Sequence, residues 1–296
     1  MGTDERNFRS VYYEKVGFKS VEEKKSIEML LKEKPIDQVK LKQFCLRFTV
    51  PHIYRALVWK LLLGIIPMHI KCHKFVMEQR KQEYDDLYHT LHVIKNFNEK
   101  TPKQQIFLYM WLIQTRKLTF NINLEQNSDA ESFTAIIEYL LYVIEDDVDL
   151  YWIGIKIYDK ISKHQEEIPK LIECTHNLIE KEDPDLYRYL VQNNLLESIP
   201  LKKWFNCWFA GILNENCLAR IWDKTCGGSY KILAFLVPII LTTLRHKIMK
   251  TTDIQAVIDN IKNIPEDTTD SIINKSIDKW QHHGSPLTVQ DKPKTN

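Results

Sequence analysis

The sequence predicts an all-α protein, and three observations favour this class. Glycine is scarce, at 8 of 296 residues, which leaves few positions for tight hairpin turns. Signals for helix starts recur along the chain with little competition from strand patterns. Apolar residues follow these signals at spacings of three and four, as on one face of a helix. The composition, 44% hydrophobic and 27% charged, is that of a folded globular protein.

The helix starts can be placed by their capping residues. Ser20, Thr101 and Ser128 each stand three residues ahead of a Glu or Gln, which predicts a reciprocal capping box. Pro51 and Pro184 lie where a first helical turn tolerates a missing N–H group. Together with the apolar spacing, these signals predict helices over residues 20–34, 37–48, 51–64, 70–97, 102–116, 128–145, 149–162, 164–181, 184–193, 201–210, 214–225, 229–248, 253–263 and 266–282.

The domain organisation is simple, because no linker rich in Gly, Ser or Pro divides the chain. We expect an N-terminal extension over 1–19, one helical domain over 20–283 and a disordered tail over 284–296. The longest apolar run, 232–241, has ten residues and contains Pro238. A bilayer crossing needs about 20 apolar residues, so we expect no membrane span.

The net charge of the chain does not indicate a class of binding partner. The chain has 41 Lys and Arg against 39 Asp and Glu, a formal net charge of +2. This balance favours neither nucleic acid nor an anionic membrane. The six cysteines form no C-x-x-C pair, which favours reduced thiols and a cytoplasmic protein.

Metal and enzyme motifs are few. His69, Cys72 and His73 could form half of a metal site, but no second Cys or His pair follows at finger spacing. Three ordinary side chains at a helix start are the better interpretation. The common motifs for nucleotide binding, acyl transfer and zinc proteolysis do not occur. We therefore expect no metal and no cofactor, and the sequence does not indicate an autonomous enzyme.

The acidic run over 145–149 could be a carboxylate pair or a cation site. It lies between two apolar helical patterns, so a solvated connection explains it more economically. In that interpretation Asp149 caps the helix that follows.

Three aromatic-rich segments occur in a fixed order, and they resemble the TBC-domain family, the all-helical GTPase-activating proteins for Rab GTPases. The resemblance covers roughly residues 45–283 and implies a two-lobed helical TBC domain within 20–283. In that family the aromatic residues largely anchor the core. The matching residues are Arg55 and Trp59 for R-x-x-x-W, Tyr151 and Trp152 for the aromatic-Trp pair, Trp204 and Phe205 for W-F, and Arg220, Ile221, Trp222 and Asp223 for R-[IV]-W-D.

The resemblance also implies a catalytic pair in active members, an Arg in I-x-x-D-x-x-R and a Gln in Y-x-Q. Here Phe97 replaces the Asp and Lys100 replaces the Arg, and the Y-x-Q positions fall near Ala130 and Ser132. An arginine finger contributes a factor of about 10³ to 10⁵ in rate, and Lys lacks its planar fork. We therefore assign no catalytic residue. Possible substitutes, among which the spacing does not choose, are Gln104, Gln105, Gln114, Arg116 and Gln126.

Within the family, the chain is similar to the small TBC subunits of the tuberous sclerosis complex. This implies a non-catalytic subunit that binds a hamartin-like coiled coil. It also implies a link through the complex to tuberin, which activates GTP hydrolysis by Rheb and so restrains TOR growth signalling. Recruitment to lysosome or vesicle surfaces would then occur through partners. Two alternatives stay open, a Rab GTPase-activating protein with atypical catalytic groups and a TBC-like adaptor for another partner.

The predicted helix over 70–97 is the candidate partner surface. Its pattern is apolar on two opposite sides, and such a helix is either deeply buried or covered by a partner helix. Amphipathic tyrosines suit a wet-edged contact. The residues assigned to partner binding are Tyr84, Leu87, Tyr88 and Leu91.

Overall fold

Helices joined by short connections make up residues 21–94, 100–118 and 128–283, which are the residues that this computed structural model describes. No strand occurs in these ranges, which confirms the all-α class. Two 3₁₀ turns, Ile70–Cys72 and Gln165–Glu167, precede α4 and α8. The α-helices are α1 Val21–Lys32, α2 Gln38–Arg47, α3 His52–Leu62, α4 His73–Ile94, α5 Lys103–Gln114, α6 Ser128–Val143, α7 Asp147–Lys163, α8 Ile168–Glu182, α9 Pro184–Gln192, α10 Leu201–Asn206, α11 Glu215–Cys226, α12 Lys231–Thr243, α13 Arg245–Ile248, α14 Ile254–Lys262 and α15 Glu266–His283.

Two predicted helices are shorter than expected. The helix predicted over 201–210 ends at Asn206, because Trp208 (φ 47°) and Phe209 (φ 65°) adopt left-handed backbone conformations. Both side chains are almost fully buried, and burial offsets a conformational cost of about 1–2 kcal/mol per residue. The helix predicted over 229–248 bends at Leu244 into α12 and α13. Leu244 stays in the core, so the apolar pattern continues through the bend and does not reveal it.

Several predicted segments extend beyond the described residues. The helix predicted over 70–97 begins with the 3₁₀ turn and is α-helical from His73 to Ile94, while 95–97 lie outside the description. The expected extension over 1–19 and the expected disordered tail over 284–296 also lie outside it.

The helices pack as two lobes joined by α11. In the first lobe, α4 packs on α5 and α7, and α6 packs between α5 and α7. In the second lobe, α12 lies at the centre and is flanked by α8 and α15. Helix α11 contacts α2, α3 and α6 on one side and α12 and α15 on the other. Its residues are therefore placed to hold the lobes together.

The hydrophobic core is continuous through both lobes. Every residue of α12 from Ile232 to Leu241 is buried, which explains the uninterrupted apolar run in the sequence. Large aromatic side chains fill the rest of the hydrophobic core, and their burial supplies much of the stabilising free energy. All seven tryptophans are almost completely buried: Trp59, Trp111, Trp152, Trp204, Trp208, Trp222 and Trp280.

The acidic connection before α7 corrects one prediction. Asp146, and not Asp149, caps this helix, since its carboxylate accepts a hydrogen bond from the Asp149 N–H at 2.8 Å. Asp149 instead accepts from Lys60 Nζ at 2.6 Å, and both side chains of this ion pair are largely buried. The sequence could not show this tertiary partner, which lies 89 positions away.

Candidate functional site

The first and last family motifs meet at one buried carboxylate. Asp223 on α11 is fully buried and accepts hydrogen bonds from Val50 N (3.0 Å), Arg55 Nε (3.1 Å) and Trp59 Nε1 (3.0 Å). Arg55 Nη2 also donates to the Val50 carbonyl at 2.6 Å. We call these four residues the motif hub. The four-residue spacing of Arg55 and Trp59 puts both side chains on one face of α3, toward Asp223.

The hub contains an ion pair, Arg55 with Asp223, that is reinforced by several hydrogen bonds. Burial disfavours the charged Arg55 guanidinium, but attraction to Asp223 and their hydrogen bond outweigh it, so the pKa of Arg55 is raised. The Arg55 guanidinium therefore stays charged. Such a pair fixes geometry, and its main energetic property is the high cost of removing one partner alone.

The residue after Asp223 makes a second link between the lobes. Lys224 is 1% exposed, and its Nζ donates to the carbonyls of Cys45 (2.7 Å) and Phe48 (2.5 Å) at the end of α2. Gln281 of α15 donates to two further carbonyls there, at 3.3 and 3.4 Å. Carbonyls at a helix end have no partner within the helix. Side chains of the second lobe thus complete α2.

The middle motif anchors α4 to α7. Tyr151 Oη donates to Gln114 Oε1 at 3.2 Å, and burial raises its pKa. Trp152 Nε1 donates to the Arg80 carbonyl at 3.1 Å, and the Arg80 guanidinium lies 4.3 Å from the Trp152 ring centroid. In the last motif, Trp222 Nε1 donates to the carbonyl of Trp208 at 3.0 Å. The motif tryptophans are therefore interior anchors.

A cleft with a volume of 550 Å³ lies between the first turn of α5, helix α6, and the segment that follows α10. This volume is within the range of ligand and partner pockets. Small side chains on α6 and in the segment 207–212 create the space. The cleft is lined by Pro102, Gln104, Gln105, Leu108, Ala130, Glu131, Ser132, Thr134, Ala135, Glu138, Lys203, Cys207, Ala210, Gly211, Ile212 and Lys262.

Exposed polar pairs edge the cleft. Lys203 Nζ donates to Glu131 Oε2 at 2.7 Å, and Gln104 Nε2 donates to Glu138 Oε1 at 3.3 Å. At the floor, burial raises the pKa of the Cys207 thiol to about 12. This thiol is therefore protonated near neutral pH and is no nucleophile.

The predicted Y-x-Q positions lie in this cleft. Ala130 and Ser132, on the first turn of α6, are 2% and 9% exposed and line it. Neither side chain carries a carboxamide. Of the Arg-motif positions, Lys100 is exposed in a turn before α5, and Phe97 lies outside the described residues. The residues at which the sequence predicts the Y-x-Q motif therefore line the cleft, and neither is a glutamine.

The structure also separates the possible substitutes. Gln104 and Gln105 line the cleft. Gln114 does not, because it donates to Glu83 Oε1 at 2.9 Å and accepts from Tyr151. Arg116 follows α5 and is exposed, with a left-handed backbone (φ 58°), and Gln126 lies outside the described residues.

Sequence reasoning missed the second-lobe wall of the cleft. Lys203 and Lys262 are separated from each other and from α6 by scores of residues. No local pattern connects them, so only packing could bring them together.

The predicted partner residues on α4 lie mostly on its inward side. Leu91 is 1% exposed, and Tyr84 and Leu87 are half-buried against the core. Tyr88, at 38% exposed, is the one of the four that is open to solvent. The assignment of Leu91 to a binding surface is therefore corrected, since α5 and α7 already cover this side.

Neither metal-ligand clusters nor membrane spans occur in the ranges that the structure describes. No three His, Cys, Asp or Glu side chains there could together hold a metal ion. None of the helices there has the length and apolar character required to cross a bilayer.

Comparison with known proteins places this geometry in a family. The model of the Rab-GTPase-TBC domain matches residues 131–249. TBC1 domain family member 7 of Bos taurus is 41% identical over 285 residues, covering 96% of this chain and 97% of that protein, and the Homo sapiens protein of the same name is 40% identical with the same coverage. In structure, the chain is similar to the crystallised Ypt/Rab-GAP domain of Gyp1p, with a TM-score of 0.60, 21% identity and coverage of 88% and 98%. The chain therefore belongs to the TBC domain family.

Proposed function

We propose that this chain is a non-catalytic TBC subunit of the tuberous sclerosis complex. In this role it binds the hamartin coiled coil and supports activation of GTP hydrolysis by Rheb through tuberin, which restrains TOR signalling. The complex would reach lysosome or vesicle surfaces through its other subunits. The chain's resemblance to the small TBC subunits of that complex supports the proposal, as does its similarity along nearly its whole length to TBC1 domain family member 7.

One observation carries the non-catalytic part of the proposal. The hub residues that build the fold are all present and joined by hydrogen bonds, whereas the positions predicted for the Y-x-Q motif carry Ala130 and Ser132 at the cleft. Lys100 stands at the arginine position, and a Lys cannot donate two parallel hydrogen bonds to a phosphoryl group. A chain of this composition has the surface of a TBC domain without its reactive groups.

The docking surface for a partner helix is the exposed side of the C-terminal half of α4. Tyr88 is 38% exposed and Val93 is 74% exposed. His89 and His92 lie between them around the helix and are also exposed. The Tyr88 and His92 rings are in contact, with centroids 4.8 Å apart. An apolar residue edged by amphipathic rings suits a helix packed along α4.

Co-purification with a hamartin coiled-coil fragment tests this surface. We expect the wild-type chain to retain the fragment and Tyr88→Asp with Val93→Asp to lose it, while circular dichroism of the variant stays helical. Val191→Asp is the matched control, because Val191 is also an exposed apolar residue (47%) but lies on α9 in the second lobe. Absence of binding by the wild-type chain would exclude a hamartin-type coiled coil and favour a different partner.

A second candidate function is a Rab GTPase-activating protein with atypical catalytic groups. The presence of Gln104 and Gln105 in the same cleft as the vacant glutamine position favours it. Of these two, Gln104 is held by Glu138, so Gln105 is the side chain to test.

Single-turnover GTP hydrolysis with a panel of Rab proteins separates the two functions. The non-catalytic subunit predicts rates equal to those of the Rab proteins alone. Stimulation of about a hundredfold or more, abolished by Gln105→Ala, Lys100→Ala or Arg116→Ala, would establish the enzyme instead.

A further inference from the structure

Two apolar side chains project from the start of α4. Ile70, in the 3₁₀ turn, is 36% exposed, and Phe75, in the first turn of α4, is 65% exposed. The backbone that carries them is held in place, because Ile36 N donates to the Met68 carbonyl at 3.0 Å and His73 Nε2 donates to the Pro67 carbonyl at 2.8 Å. These residues are therefore presented outward on a fixed support.

The same segment is cationic. Lys71 and Lys74 stand between the two apolar residues, and Lys74 is 89% exposed and lies 3.9 Å from its nearest carboxylate, Glu78. Lys71 makes no ion pair with any residue that the structure describes. We call Ile70, Lys71, Lys74 and Phe75 the basic apolar patch.

The surrounding sequence strengthens this charge. Residues 38–77 contain seven Lys and Arg and no Asp or Glu, although the whole chain is nearly neutral. Four of these cations pair with carboxylates: Arg55 with Asp223, Lys60 with Asp149, Lys40 with Glu33 and Asp37, and Lys74 with Glu78. The two lysines of the basic apolar patch, Lys71 and Lys74, are exposed to solvent.

We propose that the basic apolar patch is a contact site for an anionic lipid bilayer. Lysines beside an anionic membrane surface are attracted to its headgroups. Exposed Ile and Phe side chains next to them can enter the boundary between headgroups and acyl chains. A protein partner at this position would have to match exposed cations and protruding apolar groups at once, whereas a phosphatidylserine surface offers both complements over any area.

The patch is separate from the proposed helix-docking surface. Phe75 and Tyr88 are 13 positions apart along α4, which is about 20 Å at 1.5 Å per residue. A bilayer at the start of α4 and a coiled coil at its end can therefore be tested independently.

Vesicle co-sedimentation of the full-length chain tests the proposal. We expect the wild-type protein to sediment with vesicles of phosphatidylcholine and phosphatidylserine but not with phosphatidylcholine alone, and less at about 0.5 M than at about 0.1 M salt. Lys71→Gln with Lys74→Gln should weaken binding about twenty-fivefold, since each lysine contributes about fivefold. Ile70→Ser with Phe75→Ser should weaken it about tenfold.

Matched controls make the result specific. Val93→Ser removes an equally exposed apolar residue from the other end of α4, and Lys247→Gln with Lys250→Gln removes two exposed lysines from the second lobe. Both should bind vesicles like the wild-type chain. Equal loss in these controls, equal binding to neutral vesicles, or no binding to anionic ones would overturn the proposal. So would loss of hamartin-fragment binding by the Ile70→Ser, Phe75→Ser variant with vesicle binding unchanged, because the patch would then belong to the protein interface.

Discussion

The motif hub and the cleft contain positions of the same family pattern, yet they are built in opposite ways. In the hub, Asp223 accepts hydrogen bonds from three residues and is fully buried, so each group depends on the others. In the cleft, the positions predicted for the Y-x-Q motif carry Ala130 and Ser132, and the rim is formed by exposed pairs such as Lys203 with Glu131. Buried hydrogen bonds fix the geometry of the hub, whereas the cleft is bordered by small and exposed side chains.

This difference indicates which parts of a TBC domain tolerate substitution. A buried charge must keep its partner, because an uncompensated charge in the core is strongly destabilising. Substitution of the small or exposed side chains that line the cleft should disturb the fold less. The hub residues therefore report on the fold more strongly than the cleft residues do.

The largest expected effect tests the dependence within the hub. Asp223→Ala leaves the buried Arg55 guanidinium and Trp59 Nε1 without their acceptor. We expect the free energy of unfolding in urea to fall by about 3–5 kcal/mol. Asp270→Ala is the control, because Asp270 also pairs with a motif arginine, Arg220, but is 51% exposed, and it should cost less than about 1 kcal/mol. Equal effects of the two variants would remove the distinction between hub and surface.

A smaller effect is expected where the second lobe completes α2. Lys224→Met keeps most of the buried aliphatic chain but leaves the Cys45 and Phe48 carbonyls without their donor. A buried carbonyl without a donor is destabilising, so we expect a loss of about 2 kcal/mol. Urea denaturation measures it, with Lys203→Met, an exposed lysine at the cleft, as the control. A stable Lys224→Met variant would show that packing alone joins the lobes.

The decrease in stability at alkaline pH compares how well the cleft floor and the hub exclude water. Burial raises the pKa of Cys207 at the cleft floor and of Cys226 near the hub to about 12, against about 8.5 for an unfolded thiol. Between these values the folded state keeps a proton that the unfolded state has lost, so stability falls as pH rises. Each thiol should contribute about 1.4 kcal/mol per pH unit in this window.

Single cysteine variants measure how much each thiol contributes to the decrease of stability with pH. Urea denaturation at a series of pH values should show that Cys207→Ala and Cys226→Ala reduce this pH slope equally, while Cys72→Ala, which removes an exposed thiol, leaves it unchanged. A smaller change in slope for Cys207→Ala would mean that water reaches the cleft floor.

The smallest effect is expected at the rim of the cleft. Lys203→Ala breaks the ion pair with Glu131, but both side chains are well exposed, at 62% and 45%. Exposed ion pairs contribute about 0–1 kcal/mol, so thermal unfolding should hardly change. A loss comparable to that of Asp223→Ala would place the cleft rim among the structural elements.

Particular residues show how far the sequence could predict this structure. The apolar spacing placed most helices within a few positions, and the motif residues Arg55, Trp59 and Asp223 proved to be interior anchors. The buried side of α4 was harder to predict. Its sequence pattern is apolar on two sides and does not indicate which of them the core covers. Leu91 was assigned to a partner surface and lies in the core.

The sequence by itself determined the helical class and the anchoring motifs, because these depend on local spacing and side-chain identity. Tertiary structure alone decided that α6, Lys203 and Lys262 share a cleft, and that Phe75 points outward while Leu91 does not. These outcomes depend on contacts between segments far apart in the chain, which helical periodicity does not encode.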